Sequence, residues 1–445
     1  MVDISDYNEL VKAVLAISVL LTIFKFIFEK YKTIPKKAEK QPRRKSYGSS
    51  PDDPIPKPTP LYITPEQVKT RDDRPWRPFR WPYHQTMSIC KLNINHWLDM
   101  DKYYYDYIKE KERVLHSYGP DNFDSLPGSE EACLELMETV KEHMLLRYPL
   151  LFTSKDNGVH VKNELTGEVL DFSLPLKENP LVYVSKMAKE DFYIVLQGED
   201  GVHRLVAAAV PFPGGSFGIK YKLGKTLDVI HTEVPYYKEK LKPSMEKWFA
   251  KMQPADLVER ASWYISWDHK LLLNNVYALK EGDKVETDIQ PTQFNVRVER
   301  QTLRRLPKSR AIIFTNHPVF YSIEEMKDEP LVPSLIRKII YEAPEGICKY
   351  KNFESFRDHI LPYLNELVDR QIDLGLITAE TPVKTLSTYP FALFIKESDD
   401  TKGWSNPKYP GNYSGEFKKE IETADVLEKE TYARTAKMGD IIFAA

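Results

Sequence analysis

His231 sits in the stretch GKTLDVIHTEVPYYKEKL, with Leu227 and Ile230 before it and Val234 and Pro235 after it. An imidazole among apolar neighbours is either a hydrogen-bonded core residue or a neutral ring able to ligate a metal, because ligation needs the unprotonated nitrogen. A second stretch, VRVERQTLRRLPKSRAIIF at 296–314, brackets Arg300, Arg304, Arg305, Lys308 and Arg310 between two runs of strand character. Guanidinium groups suit carboxylates because their planar fork binds both oxygens at once. The cluster therefore reads as an anion site or as a solvated turn tied by internal salt bridges. Arg304 and Arg305 are adjacent and cannot point the same way in a regular element. One of the two is expected to face solvent or a partner protein.

Other chemistries lack their residues. There is no glycine-rich nucleotide loop, no G-x-S-x-G elbow, no H-E-x-x-H and no kinase set. Asp99 and Asp101, in DMD, have the spacing of a metal-binding acidic pair but read more simply as a solvated helix start. The ten histidines form no metal cluster by spacing. Cys90, Cys133 and Cys348 are far apart and odd in number, which fits reduced thiols facing the cytosol and gives no disulfide or zinc framework. The formal net charge is −2 and the basic excess is confined to the first 58 residues. A mildly acidic body argues against a nucleic-acid partner.

The elements that must position these residues follow from periodicity. Trp97, Met100, Tyr104, Ile108 and Leu115 recur at helical spacing over 96–117. A second helix starts at Ser129, an N-cap type, with Glu130 and Glu131 in its first turn and Cys133, Leu136, Met137, Val140 and Met144 on one face. The stretch FYIVLQGEDGVHRLVAAAV at 192–210 reads as a hairpin around Gly-Glu-Asp-Gly. A helix near 237–252 precedes a strand at 262–267 and the two runs around 296 and 312. Further helices are expected at 332–342, at 353–374 and, strongly charged, at 416–437. Strands grouped in one block and flanked by helices define an α+β fold, and those from 192 to 312 are expected to share one antiparallel sheet.

Residues 13–28, AVLAISVLLTIFKFIF, are apolar apart from Ser18, Thr22 and Lys25. Leu10 and Val11 lengthen the run, and Lys12 and Lys25 can snorkel, so a transmembrane helix is expected. A helix lying on the membrane surface is the alternative. The acidic start and the lack of a small-residue cleavage site argue against a signal peptide. The following EKYKTIPKKAEKQPRRK carries eight Lys/Arg against two Glu. The positive-inside rule then puts the amino terminus outside or in a lumen and the body in the cytosol, on the endoplasmic reticulum or another intracellular membrane. The chain divides into a membrane anchor (1–33), a basic and Pro-rich linker (34–82), a main domain (83–385) and a C-terminal extension (386–445). The end of the linker, RPWRPFRWPYHQTM, is expected to dock on the domain as a polyproline segment; single-stranded nucleic acid is the other partner such a patch suits.

In order and spacing, SLPGSEEACLELMETV, LLRYPLLF, EDFYIVL, the long block around His231 and the VRVERQTLRRLP block resemble the haem-dependent oxidative N-demethylase-like family, over roughly residues 80–345. The resemblance implies a fold similar to a Per-Arnt-Sim domain, a five-stranded antiparallel sheet with helices. It implies oxidative removal of a methyl group from a small amine, with haem b as cofactor and NAD(P)H-derived electrons arriving through a flavoprotein reductase. His231 takes the place of the family's His in IHxPVP and is the expected axial haem ligand, with His203 on the hairpin as fallback. Glu299, Arg300, Gln301, Arg304 and Arg305 take the places of ERQxxRR, and Arg300 and Arg304 are expected to bind the cofactor's propionates. Two positions depart from the pattern. The family's Trp after F-P-S is replaced around GGSF, with Phe217 nearest, and FTNHPVF lacks the basic residue usual after FT. These departures keep a second reading open, a non-catalytic haem or small-ligand sensor or scaffold. A thiolate-ligated monooxygenase is disfavoured, because EGICKYKN around Cys348 lacks the Gly- and Arg-bearing loop such enzymes place before their cysteine.

The topology can be checked at Asn412, which matches the glycosylation acceptor pattern in NYS. It is expected to stay unmodified in the cytosol. A glycosidase-sensitive mass shift that disappears in Asn412→Gln would put the body on the other side of the membrane.

Overall fold

The β-branched and aromatic residues concentrated between 191 and 322 form the sheet around which the protein is built. The structure is a computed structural model that describes residues 48–83, 86–213, 219–267, 289–393, 395–399 and 402–405. The expected anchor, the charged helix at 416–437 and Phe217 lie outside the described residues. None of the described helices is long and apolar enough to cross a membrane.

In chain order the strands begin with β1 (Cys90–Lys91), β2 (Phe123–Ser125), β3 (Phe152–Thr153), β4 (His160–Asn163) and β5 (Val169–Asp171). The long ones follow: β6 (Asp191–Gln197), β7 (His203–Ala209), β8 (Val258–Ser266), β9 (Asn295–Arg305) and β10 (Ile312–Ser322). A short pair, β11 (Lys396–Asp399) and β12 (Gly403–Ser405), comes last. After a one-turn helix at Pro65–Val68, the helices of the described residues are α1 (Tyr104–Tyr118), α2 (Glu130–Arg147), α3 (Pro180–Met187), α4 (Leu227–Ile230), α5 (Lys242–Lys251), α6 (Val332–Glu342), α7 (Glu345–Tyr350) and α8 (Arg357–Asp373). A seven-stranded sheet runs β1-β8-β9-β10-β6-β7-β2, beside a three-stranded sheet β3-β4-β5. Every pairing in the large sheet is antiparallel. The α+β class and the shared sheet expected from 192–210, 262–267, 296 and 312 are therefore observed.

β9 is paired along its whole length, to β8 from Val258↔Leu303 to Ser266↔Asn295 and to β10 from Ile312↔Arg305 to Ser322↔Asn295. Side chains alternate across a strand, so its even-numbered residues share one face and its odd-numbered residues the other. On the even face Ile313, Phe192, Ile194 and Ala207 pack with residues of α2 and α3 into one apolar cluster. At the far end of the same face Val296, Val298, Trp263 and Val319 pack with α6 and α8. Between the two lies a band of buried charge. Arg300 pairs there with Asp99 at 3.5 Å, Glu190 at 3.6 Å and Glu259 at 3.8 Å, and Glu259 is also bound by Arg74. The odd face carries a third cluster, in which Val195, Leu205, Leu303 and Ile312 meet Phe249 and Met252.

Several boundaries differ from the sequence reading. β8 starts at Val258, four residues early, and β9 runs on through Arg305, because buried cross-strand pairing extends a strand into polar sequence. The first helix begins only at Tyr104, after a 3₁₀ turn at Ile94–His96, and the 353–374 helix begins at Arg357. Ser129 stands at the start of α2, but its Oγ donates to the Leu126 carbonyl at 2.6 Å instead of capping. The segment read as linker is part of the body from Gly48 onward. Leu61, Ile63, Trp76 and Phe79 are fully buried, each contributing roughly 1.5–3 kcal/mol by burial. Phe391, from the segment read as C-terminal extension, lies 4.7 Å from the Trp76 ring.

The band of charge makes Arg300 a stability residue. Arg300→Met leaves Glu190 and Asp99 short of their cation, and removing one member of such a buried set is expected to cost about 3–5 kcal/mol. Urea denaturation checks this. A change under about 1 kcal/mol, the scale of an exposed ion pair, would contradict it.

Candidate functional site

Thr226 starts the one-turn helix α4 by accepting from the Val229 amide at 3.4 Å, and His231 is the residue that ends it. Carbonyls in the last turn of a helix have no partner within it. The Leu227 carbonyl takes two from His231, the backbone N–H at 3.0 Å and the ring Nδ1 at 2.7 Å. A carbonyl only accepts, so Nδ1 carries the proton and Nε2 holds a lone pair. The chain then doubles back through Pro235 and a left-handed Tyr236 (φ 59°) into a π-helical turn, Tyr237–Leu241. This brings the Tyr237 ring flat against His231, 4.9 Å between centroids and 11° from parallel. Burial holds the His231 pKa below the ordinary imidazole value against the opposing pull of the Leu227 carbonyl, with Lys222 and Arg260 adding to the depression.

His231 lines a cavity of about 350 Å³ whose floor is the odd face of β9 and its neighbours. That size lies within the range of small-molecule and cofactor sites. Its apolar lining includes Leu205, Leu227, Ile230, Leu303, Ile312 and Phe249, of which Leu227 and Ile230 belong to the helix that ends at His231. The lining also carries the cations Arg80, Lys222, Arg260 and Lys351 and the phenols Tyr83, Tyr350 and Tyr389. The Arg260 Nε is buried and has no hydrogen-bond partner among the described residues. Burial lowers the Arg260 pKa, and burial pushes that of Tyr83 up to about 12, so Tyr83 remains a neutral donor. Glu299 reaches the cavity with its carboxylate already committed, accepting from Tyr264 at 2.9 Å, Arg297 at 2.6 Å and Asn316 at 2.5 Å.

Of the residues singled out in the sequence, His231, Glu299 and Gln301 line the cavity. Arg300 and Arg304, expected to bind the cofactor, are not among its lining residues. Their even parity on β9 turns them to the opposite face. There Arg300 is held by carboxylates and by the His96 carbonyl, and Arg304 lies 4.2 Å over the Trp97 ring. Arg304 and Arg305 do point apart, but neither faces solvent: Arg304 is 5% exposed, and Arg305, 7% exposed, donates to the Phe249 carbonyl. The turn after β9 is exposed at Lys308 and Arg310, and its amides at Lys308 and Ser309 donate to Glu135 of α2 at 2.8 and 2.7 Å. His203 lies against Phe249 at 5.5 Å and does not line the cavity. Arg80, Lys222, Arg260 and Lys351 are the cations that line it among the described residues. Arg260 was legible in period two, as the polar residue of VERASWYIS on the same face as Ser262 and Tyr264.

The cavity thus brings the His231 imidazole, several cations and several phenols together over one face of an antiparallel sheet. Residues 88–361 match the family model of haem-dependent oxidative N-demethylase, alpha subunit-like proteins, and the chain belongs to that family.

His231→Ala is expected to remove the Soret band of the haem-loaded protein while circular dichroism is unchanged, and added imidazole to restore part of it. His203→Ala is expected to keep the band. The pH response follows from the depressed His231 pKa. The ring stays neutral as pH falls through 6.5, so the band should persist below that value and fade only at lower pH. Loss of the band in His203→Ala with retention in His231→Ala would contradict the site.

Proposed function

We propose that the protein is a haem-dependent oxidoreductase that removes a methyl group oxidatively from a small amine, using O2 and electrons from a flavoprotein partner. The observation that carries this reading is His231. Its Nδ1 is committed to a backbone carbonyl, the usual outer partner of a metal-ligating histidine, which leaves the Nε2 lone pair without a hydrogen-bond partner among the described residues in a ring that lines the cavity. Family membership supports the haem and, through the words alpha subunit, an assembly with further subunits. The five long strands, in spatial order β8-β9-β10-β6-β7, fit the Per-Arnt-Sim-like core expected of the family, widened by β1 and β2.

The residues present suit the cofactor. His231 would hold the haem iron, and Arg260, whose Nε has no partner among the described residues, and Arg80 would take the propionates together with the tyrosine hydroxyls. When bound, haem supplies the oxygen activation. The chain supplies the rest: the Leu227 carbonyl fixes the tautomer and angle of the ring, Tyr237 holds its plane, and Leu303, Ile312 and Phe249 keep water from that end. Residues 13–28 would tether the body to the cytosolic face of an intracellular membrane. A second reading, a haem or ligand sensor without catalysis, is favoured by one position. Asn316 stands in the cavity floor where the family pattern has a basic residue, and its Oδ1 has no donor among the described residues.

The full chain with haem, a flavoprotein reductase and NAD(P)H is expected to show a Soret band and to release aldehyde from a secondary methylamine. A Soret band without aldehyde from any of a panel of methylamines supports the sensor. Absence of haem uptake removes both readings.

A further inference from the structure

Lys351 follows α7 directly and is 6% exposed, yet it lines the cavity. Its Nζ donates to the Trp263 carbonyl and lies 5.2 Å over the same residue's indole ring. No described carboxylate forms an ion pair with it; the charge that acts on it is that of Arg260, another cation. Burial, with Arg260 second, holds its pKa down to about 7. The Trp263 carbonyl can accept from a neutral amine as well as from an ammonium, so the side chain keeps its anchor when the proton leaves. Tyr83, Tyr350 and Tyr389 line the same cavity and offer hydroxyls that can pass protons.

We propose that Lys351 is a carbonyl-reactive amine that forms a reversible imine with a small aldehyde in the cavity. A lysine in a desolvated pocket beside a second cation is nucleophilic at neutral pH for this reason. The Nζ lone pair attacks the carbonyl carbon while the C=O π pair moves to oxygen, which takes up a proton to give a carbinolamine. The nitrogen then gives up its two protons, one replacing the proton taken up by the oxygen and the other protonating the hydroxyl, which leaves as water while the nitrogen lone pair forms the C=N bond. Nothing is oxidised or reduced, and water reverses the sequence. The identity of the natural aldehyde, the one-carbon product of demethylation, rests on the proposed function; the reactivity of the amine does not. Imine formation would retain that aldehyde inside the protein until water or a second amine releases it.

The test uses the purified full chain without reductase or amine substrate, given limiting formaldehyde and cyanoborohydride at pH 7, followed by peptide mass spectrometry. An exposed lysine, with a pKa of about 10.4, is neutral at pH 7 in fewer than about one molecule in a thousand. Lys351 is expected to be methylated about a hundredfold faster than the exposed lysines, an advantage that shrinks as pH rises toward 9. The fast-labelled peptide should be missing from Lys351→Met. Labelling of Lys351 no faster than that of exposed lysines shows a protonated or shielded amine and overturns the proposal. Fast labelling with no aldehyde release in the turnover assay rejects the demethylase reading and leaves the amine standing.

Discussion

Everything at the site depends on the two-residue period of β9. Paired over eleven residues with β10 and over nine with β8, this strand cannot slip by one position without turning every side chain to the wrong face. Its odd residues Glu299, Gln301 and Leu303 floor the cavity, and its even residues Arg300 and Arg304 are sealed on the other side. The two faces have opposite needs. The cavity face must keep groups available for a ligand, while the opposite face must satisfy every charge it buries.

The buried face gathers most of its charges into a set of ions rather than isolated pairs, while Arg304 rests on the Trp97 ring. Arg74, Arg300 and Lys189 oppose Glu259, Asp99, Glu190 and Asp101, between two apolar clusters. Such a set adds little net stability over an apolar core, but losing one member costs several kcal/mol. It makes register errors in β9 expensive, since a shift would strand these charges, and so preserves the cavity on the far side. Asp99, which in sequence resembled half of a metal-binding pair, is a member of this set, and Arg300 is the leading cause of its depressed pKa.

Much of the architecture was legible because it rests on local patterns. Alternation exposed the hairpin at 192–210 and the strands at 262, 296 and 312, and helical spacing exposed α2, α6 and α8. His231 was legible as a polar residue in an apolar run and through its family block. Other features depend on pairing between distant segments. The continuation of β9 through Arg304 and Arg305 was hidden because charged residues read as a turn until Trp97 and Phe249 are brought against them. Residues 61–79 read as linker because Pro and Arg dominate them, yet Arg77 is buried on Glu329, 252 positions away. Lys351 gave no signal at all, since only the fold sets it beside Trp263 and Arg260.

The cavity lined by His231 and the charge band lie on opposite faces of one sheet, so the proposed haem would occupy the odd face of β9 alone. A crystal structure of the haem-loaded full chain, with the iron located by anomalous scattering, tests this most directly. Iron is expected within coordination distance of His231 Nε2, over the odd face of β9, with Arg260 among the residues touching the propionates. Iron on the Arg300–Arg304 face, or coordinated by another residue, would contradict it.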